Sequence, residues 1–250
     1  MLETRRRLAG VLLAGLVGLL CGCASAPPPV MIPGEGMVSG AEVMATPSPI
    51  NVYDPIEPLN RAIYQFNAVF DDYVFLPVVD AYEFVTPDFV EERVSDFFSN
   101  LLEIPTFANS LLQLKGERAG RAVTRFVVNT MFTLGFYDLA GARGIEPMPE
   151  DFGQTLGHWG VGNGPFLMIP VLGPSNLRDG TGILVDLASY YFIFPNEVTD
   201  TLAYKAGVYV LYPIDRRRNI PFRYYQTGSP FEYELVRLLY TQRRKLEVAN

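Results

Sequence analysis

The sequence predicts a mainly α-helical domain over residues 53–246, and three observations carry that prediction. Apolar residues recur at helical spacing in several windows. Start and stop signals flank those windows. The chain of 250 residues is 49% hydrophobic and 19% charged, long enough for a core and too apolar for disorder.

Residues 1–22 read as an export leader and not as fold. Arg5, Arg6 and Arg7 form a positive start, and Leu8 to Leu20 is an uncharged apolar run. That run falls short of the roughly 20 apolar residues a membrane span needs. It ends in Leu20-Cys21-Gly22-Cys23, which resembles a bacterial lipobox: Leu at −3, a small residue at −1, then the thiol of Cys23 as acceptor of a diacylglyceryl group. Cys21 is the poorer acceptor, because it would put Leu20 at −1. The alternative is an ordinary signal peptide with an incidental cysteine. Ala24 follows, and the absence of Asp there favours the outer membrane by resemblance to lipoprotein sorting rules. Each buried acyl methylene is worth about 0.8 kcal/mol, so several chains would hold the protein on a bilayer.

Residues 23–52 are rich in Pro, Gly, Ser and Ala and read as a lipidated flexible tether. Its root-mean-square reach is about 30 Å. No uncharged apolar run beyond residue 52 approaches a membrane span.

Within the body, Val90, Val94, Phe97, Phe98, Leu101 and Leu102 mark one helix face, started by Thr86-Pro87-Asp88. Ala119 to Leu134 is a second helix, with Ala122, Phe126, Val127 and Met131 along one stripe. Residues 135–182 are glycine-rich and are expected to exclude a long helix. Further helices are expected over 181–193, 199–212 and 231–247; Arg243, Arg244 and Lys245 suit the end of the last. Residues 247–250 read as a tail. The helical segments are aromatic, including Phe66, Phe70, Tyr73, Phe75, Tyr82, Phe84 and Phe89. An aromatic core is expected for most of these, with lipid-facing rings as the alternative.

Several chemistries are excluded or disfavoured. A net charge of −7 argues against nucleic acid as a partner. A single histidine, His158, and two cysteines confined to the first tenth of the chain rule out a multi-His metal site, a zinc finger and a disulfide framework. No metal and no cofactor are expected. Gly160-x-Gly162-x-Gly164 superficially suggests a phosphate loop, but Pro165 follows at once and no Gly-Lys-Ser/Thr exists. No Gly-x-Ser-x-Gly elbow accompanies His158, so a hydrogen-bonded structural histidine beside Trp159 is the expectation. Arg178-Asp179 reads as an ion pair or loop clasp; Arg216-Arg217-Arg218 is open between phosphate, a partner and water alone, a solvated face being the usual reading of such a run.

Three blocks carry a family resemblance. The first is Asp54-Pro55-Ile56-Glu57-Pro58-Leu59-Asn60-Arg61, running into Tyr64-Gln65-Phe66-Asn67. The second is Asn100-Leu101 through Asn109-Ser110-Leu111-Leu112-Gln113, then Ala119-Gly120-Arg121 and Arg125-Phe126-Val127-Val128-Asn129-Thr130. The third is Asp151-Phe152-Gly153-Gln154-Thr155-Leu156-Gly157 through Gly164-Pro165, with Leu172-Gly173-Pro174-Ser175 and Arg178-Asp179-Gly180. In order and over nearly all of 54–246, the chain resembles the MlaA/VacJ outer-membrane lipoproteins. Pro105 falls one residue later than that family's Glu-Pro pair, which touches only a local bend.

The resemblance implies a single helical ring-like domain in the inner leaflet of the outer membrane of a Gram-negative bacterium. It implies a central amphipathic channel, a trimeric porin beside it, and removal of phospholipid from the outer leaflet to a soluble periplasmic lipid-carrier protein, without hydrolysis. On that reading Tyr64, Phe66 and Asn67 hold the channel closed or at the right depth, and Gly157, Gly160, Gly162, Gly164 and Pro165 border the passage. Asp54, Pro55, Asn60, Arg61, Arg178 and Asp179 are structural motif positions. Helix capping is the alternative role for Asn60 and Asn67. The competing functions are a porin-associated structural scaffold and a membrane-tethered lipid hydrolase.

Overall fold

The structure, a computed structural model, describes residues 52–193 and 196–250. The leader, Cys23 and the tether up to residue 51 lie outside the described residues.

Helix α1 spans Glu57–Phe70, with Pro58 in its first turn where a missing N–H costs nothing. Its ladder then widens into a π-helical turn, Asp71–Phe75, before α2, Leu76–Val85. The cause is Pro77, which has no N–H for the Tyr73 carbonyl. Leu76 instead donates to the Asp71 carbonyl, five residues back. The same device recurs at Gly207–Leu211, where Tyr212 donates to the Gly207 carbonyl just before Pro213. Tyr73-Val74-Phe75-Leu76-Pro77 is echoed by Tyr209-Val210-Leu211-Tyr212-Pro213.

Thr86 and Pro87 are extended and separate α2 from α3, Asp88–Leu112, as the sequence signals. Helix α3 continues through buried Pro105. Helix α4, Gly116–Thr133, packs along α3 and ends at Leu134, which adopts φ 55°. Gly135 N–H closes that end on the Asn129 carbonyl. After a 3-10 turn at Gly141–Arg143 comes α5, Phe152–His158, capped by Asp151. A two-stranded antiparallel hairpin follows: β1, Phe166–Ile169, and β2, Gly173–Asn176, paired Phe166 to Asn176 and Ile169 to Gly173.

Helix α6, Leu177–Ile193, begins four residues before the expected position. Its glycines do not exclude helix. A Cβ on Gly182 would stand 2.4 Å from the Gly153 nitrogen, so the missing side chain lets α5 and α6 cross closely. The expected helix 199–212 is also broken. Short α7, Asn196–Thr199, precedes α8, Leu202–Ala206, which Thr201 caps by accepting from Tyr204 N–H at 3.1 Å. Beyond the second π turn, α9 runs Tyr212–Arg218. Helix α10, Glu232–Ala249, takes in most of the expected tail.

The distribution of polarity is inverted relative to a water-soluble domain. Among the described residues, twelve hydrophobic side chains are buried against twenty-five polar or charged ones, while forty large hydrophobic side chains are exposed. The apolar core is small: Tyr64, Phe166, Met168 and Tyr233. The expectation of an aromatic core therefore fails for Phe66, Tyr73, Phe84 and Phe89, all of which are exposed. Helical spacing placed them on faces, but the faces turned inward are the polar ones.

Candidate functional site

Helix α1 holds the hairpin by side chains that imitate a third strand. Asn60 Nδ2 donates to the Phe166 carbonyl at 3.0 Å, and Asn60 Oδ1 accepts from Met168 N–H at 2.8 Å. One step along, Asn67 Nδ2 donates to the Ile169 carbonyl at 3.0 Å and its Oδ1 accepts from Val171 N–H at 2.8 Å. Seven helical residues rise about 10.5 Å, and three strand residues span about 10 Å. The two repeats match, so two amides cover the outer edge of β1. Phe166 N–H completes that edge on the Tyr53 carbonyl at 2.9 Å. Neither asparagine caps a helix, and the capping alternative is set aside: α1 has no side-chain cap at its start.

The first block then closes into one polar knot. Asp54 accepts from Asn60 Nδ2 at 2.7 Å, Tyr233 hydroxyl at 2.5 Å and Arg237 Nη1 at 3.0 Å. Pro55 leads from it into the turn that opens α1. Arg61 joins Glu57 at 2.7 Å and also Glu234, and lies 4.4 Å from the centre of the Tyr233 ring. Tyr64 is buried and donates to Glu232 Oε1 at 2.6 Å. Burial, with the Glu232 carboxylate beside it, pushes the Tyr64 hydroxyl far above the usual phenol range. Tyr64 and Asn67 are thus braces of the hairpin. Phe66, on the opposite face, is half exposed and stacks on Phe70 at 5.9 Å.

A second knot fixes α10 to the third block. Arg244 grips Asp151 through Nη1 to Oδ2 at 2.7 Å and Nη2 to Oδ1 at 2.8 Å. It also grips Asp179 through Nε to Oδ2 at 2.8 Å and Nη2 to Oδ1 at 3.0 Å. Asp179 further accepts from Arg178 Nε at 2.8 Å, so the expected ion pair is present inside a larger cluster. Burial raises the pKa of both Asp151 and Asp179, but the guanidinium hydrogen bonds outweigh it and hold both below the usual carboxylate value. A third network links buried Glu150 to Gln113 at 2.8 Å and Lys115 at 3.0 Å, and to Arg118. Gln113 passes it to Thr155, Thr155 to Asn109, and Asn109 to Asp186. Burial pushes Asp186 up to about 6.

The glycine stretch divides by role. A Cβ on Gly157 would stand 2.7 Å from Val248 and 2.8 Å from Arg178 Nη1, so α5 needs a bare backbone there. Gly164 adopts φ +67° with Leu177 Cβ 3.0 Å from its virtual Cβ, and the Pro165 carbonyl accepts from Leu177 N–H. Gly160 and Gly162 border open space. His158 departs from expectation. It is exposed and takes part in no side-chain hydrogen bond or ion pair among the described residues. The sole indole, Trp159, donates to the Leu112 carbonyl at 3.1 Å instead.

The three-arginine run also differs from a solvated face. Arg217 is buried and bidentate on Asp71, at 2.6 and 2.7 Å, and Arg218 pairs with Glu91 at 3.2 Å; Arg216 alone faces out. The sequence reading missed Arg217, Arg237, Arg244 and Asp151 as organising residues. Asp151, three before Gln154 in a capping pattern, carried a legible signal.

The sequence profile described as MlaA lipoprotein matches residues 52–247. The chain belongs to the MlaA lipoprotein family. A protein of Escherichia coli (strain K12) named "Intermembrane phospholipid transport system lipoprotein MlaA" is 38% identical over 53% of this chain and 55% of its own length. An uncharacterized protein of Rickettsia prowazekii (strain Madrid E) is 37% identical over 54% of this chain and 55% of its own. The chain thus spans about half the length of these curated relatives. A solved structure described as "Structural basis for maintenance of bacterial outer membrane lipid asymmetry" aligns with TM-score 0.62 and 31% identity, covering 78% of this chain and 98% of that one. The mainly helical fold is therefore that of MlaA.

Proposed function

We propose that this MlaA-family protein removes phospholipids that have strayed into the outer leaflet of the outer membrane and passes them through an amphipathic passage towards the periplasm. The observation that carries this reading is the inverted polarity. Exposed Phe84, Phe89, Leu114, Met131, Phe132, Leu134 and Leu172 suit acyl chains, while the buried polar networks replace the hydrophobic effect that such a setting lacks. No described helix is long and apolar enough to cross a membrane. Cys23 would supply the anchor there, with a trimeric porin beside the body and a soluble carrier receiving the lipid.

No bond need be broken on this route. A phospholipid leaving a leaflet where it is misplaced moves downhill. In this reading Tyr64 and Asn67 set the depth of the hairpin, Phe66 meets acyl chains, and the 157–165 stretch borders the passage. Loss of the protein is expected to raise phospholipid at the cell surface, and re-expression to lower it. Unchanged surface phospholipid would refute the reading. A pure porin scaffold predicts instead that the purified protein carries no phospholipid, which mass spectrometry of the co-purified lipid tests.

A further inference from the structure

Residues 201–231 invert the charge of the chain. In a protein of net charge −7, this stretch holds five cations, Lys205, Arg216, Arg217, Arg218 and Arg223, and a single acid, Asp215. Asp215 is buried, so the stretch shows solvent no carboxylate of its own. Arg217 and Arg218 are turned inward onto Asp71 and Glu91. Arg216 and Arg223 are not. Arg216 is exposed and its one hydrogen bond goes to the Tyr212 hydroxyl, at 3.2 Å. Arg223 meets only the Ile220 and Phe222 carbonyls, at 3.4 Å each. Neither pairs with a carboxylate among the described residues. Exposed Ile220, Phe222 and Tyr225 stand in the same segment. Cations interleaved with exposed apolar and aromatic residues, in a segment with no acid facing out, have the composition of a membrane interface, where guanidinium groups reach phosphate while their neighbours enter the acyl boundary.

We propose that the turn from Arg216 to Tyr225 is a phospholipid headgroup contact, in which Arg216 and Arg223 bind lipid phosphates and set the depth and tilt of the body in its leaflet. This rests on the lipid-transport reading above, and adds which segment touches the headgroups. The buried Arg217–Asp71 pair keeps the turn rigid against the first π-helical turn.

The test uses the mature protein acylated on Cys23, from which Cys21 is removed with the leader, in vesicles of phosphatidylethanolamine and phosphatidylglycerol. The native cysteines are confined to positions 21 and 23, so Gln226→Cys, at an exposed site in the segment, offers a unique thiol for a spin label. The label is expected to be shielded from a water-soluble nickel chelate. Arg216→Gln and Arg223→Gln are each expected to weaken that shielding, by about fivefold per cation. The double Lys variant should restore it, because phosphate attraction needs the charge. A label as open to the chelate with vesicles as without overturns the proposal. So does shielding indifferent to charge, which would assign the surface to a protein or a purely apolar contact. Surface phospholipid content, measured separately in cells, reports whether the transport reading stands when this one falls.

Discussion

Asn67 holds Val171 in a conformation that valine seldom adopts. Val171 sits at φ +67°, and its N–H donates to Asn67 Oδ1 at 2.8 Å. A β-branched residue in the left-handed region costs about 1–2 kcal/mol. The asparagine amide is therefore working against local strain at the tip of the hairpin. Val171→Gly should raise thermal stability by about 1 kcal/mol, whereas Asn67→Ala should lower it by about 1–3 kcal/mol by leaving buried backbone groups unpaired. Thermal unfolding of both variants in the same detergent checks the pair; a stabilised Asn67→Ala would show that the amide bears no load.

Arg244 is the most heavily engaged cation in the described structure. Arg244→Ala should destabilise by about 2–3 kcal/mol, because it removes one of the two guanidinium partners of buried Asp179, leaving Arg178, and the cation on part-exposed Asp151. The pH dependence has a sign. Both carboxylates are held below their usual pKa, so their contribution is present above about pH 4 and is lost as pH falls below it. The stability gap between wild type and Arg244→Ala should therefore narrow as pH falls below about 4.

Asp186 predicts the opposite slope. Burial raises it to about 6, so the folded state binds the extra proton between about pH 4 and pH 6, and stability declines across that window as pH rises. Asp186→Asn should abolish the decline, at the cost of setting its amide NH2 against one of the two donors Asp186 now accepts from, Asn109 Nδ2 or Phe152 N–H. Denaturation midpoints at pH 5 and pH 7.5 measure it.

Gly157 and Gly162 separate packing from freedom. Gly157→Ala must push aside Val248 and Arg178, at a cost of about 1–3 kcal/mol. Gly162→Ala meets open space and should change stability by less than about 1 kcal/mol in either direction. Equal losses would place Gly162 in a contact that the structure lacks.

Much of this architecture was legible before any coordinates. Thr86-Pro87-Asp88 marked a real boundary, and the stripe through Val90 and Leu101 a real helix, because both signals are local. The π-helical turns before Pro77 and Pro213 were not read, although proline chemistry forces the ladder to adjust there. The start of α6 is hidden in the sequence because Gly180 and Gly182 read as breakers, whereas Gly182 lies against Gly153 and Gly180 faces Ser175, Leu167 and Ile169. The largest error concerned polarity. Phe84 and Phe89 were expected inside because periodicity reports a face and not its solvent. Arg217 and Arg237 could not be assigned from sequence, since their partners Asp71 and Asp54 lie more than 140 positions away.

Phospholipid amines at the surface of intact cells can be labelled with an impermeant reagent, in cells lacking the protein and in cells re-expressing it. Labelling should rise on loss and return on re-expression, with the recovered phospholipid intact. Labelling that never changes, or lysophospholipid that appears only when the protein is present, would contradict a passage that moves lipid without cutting it.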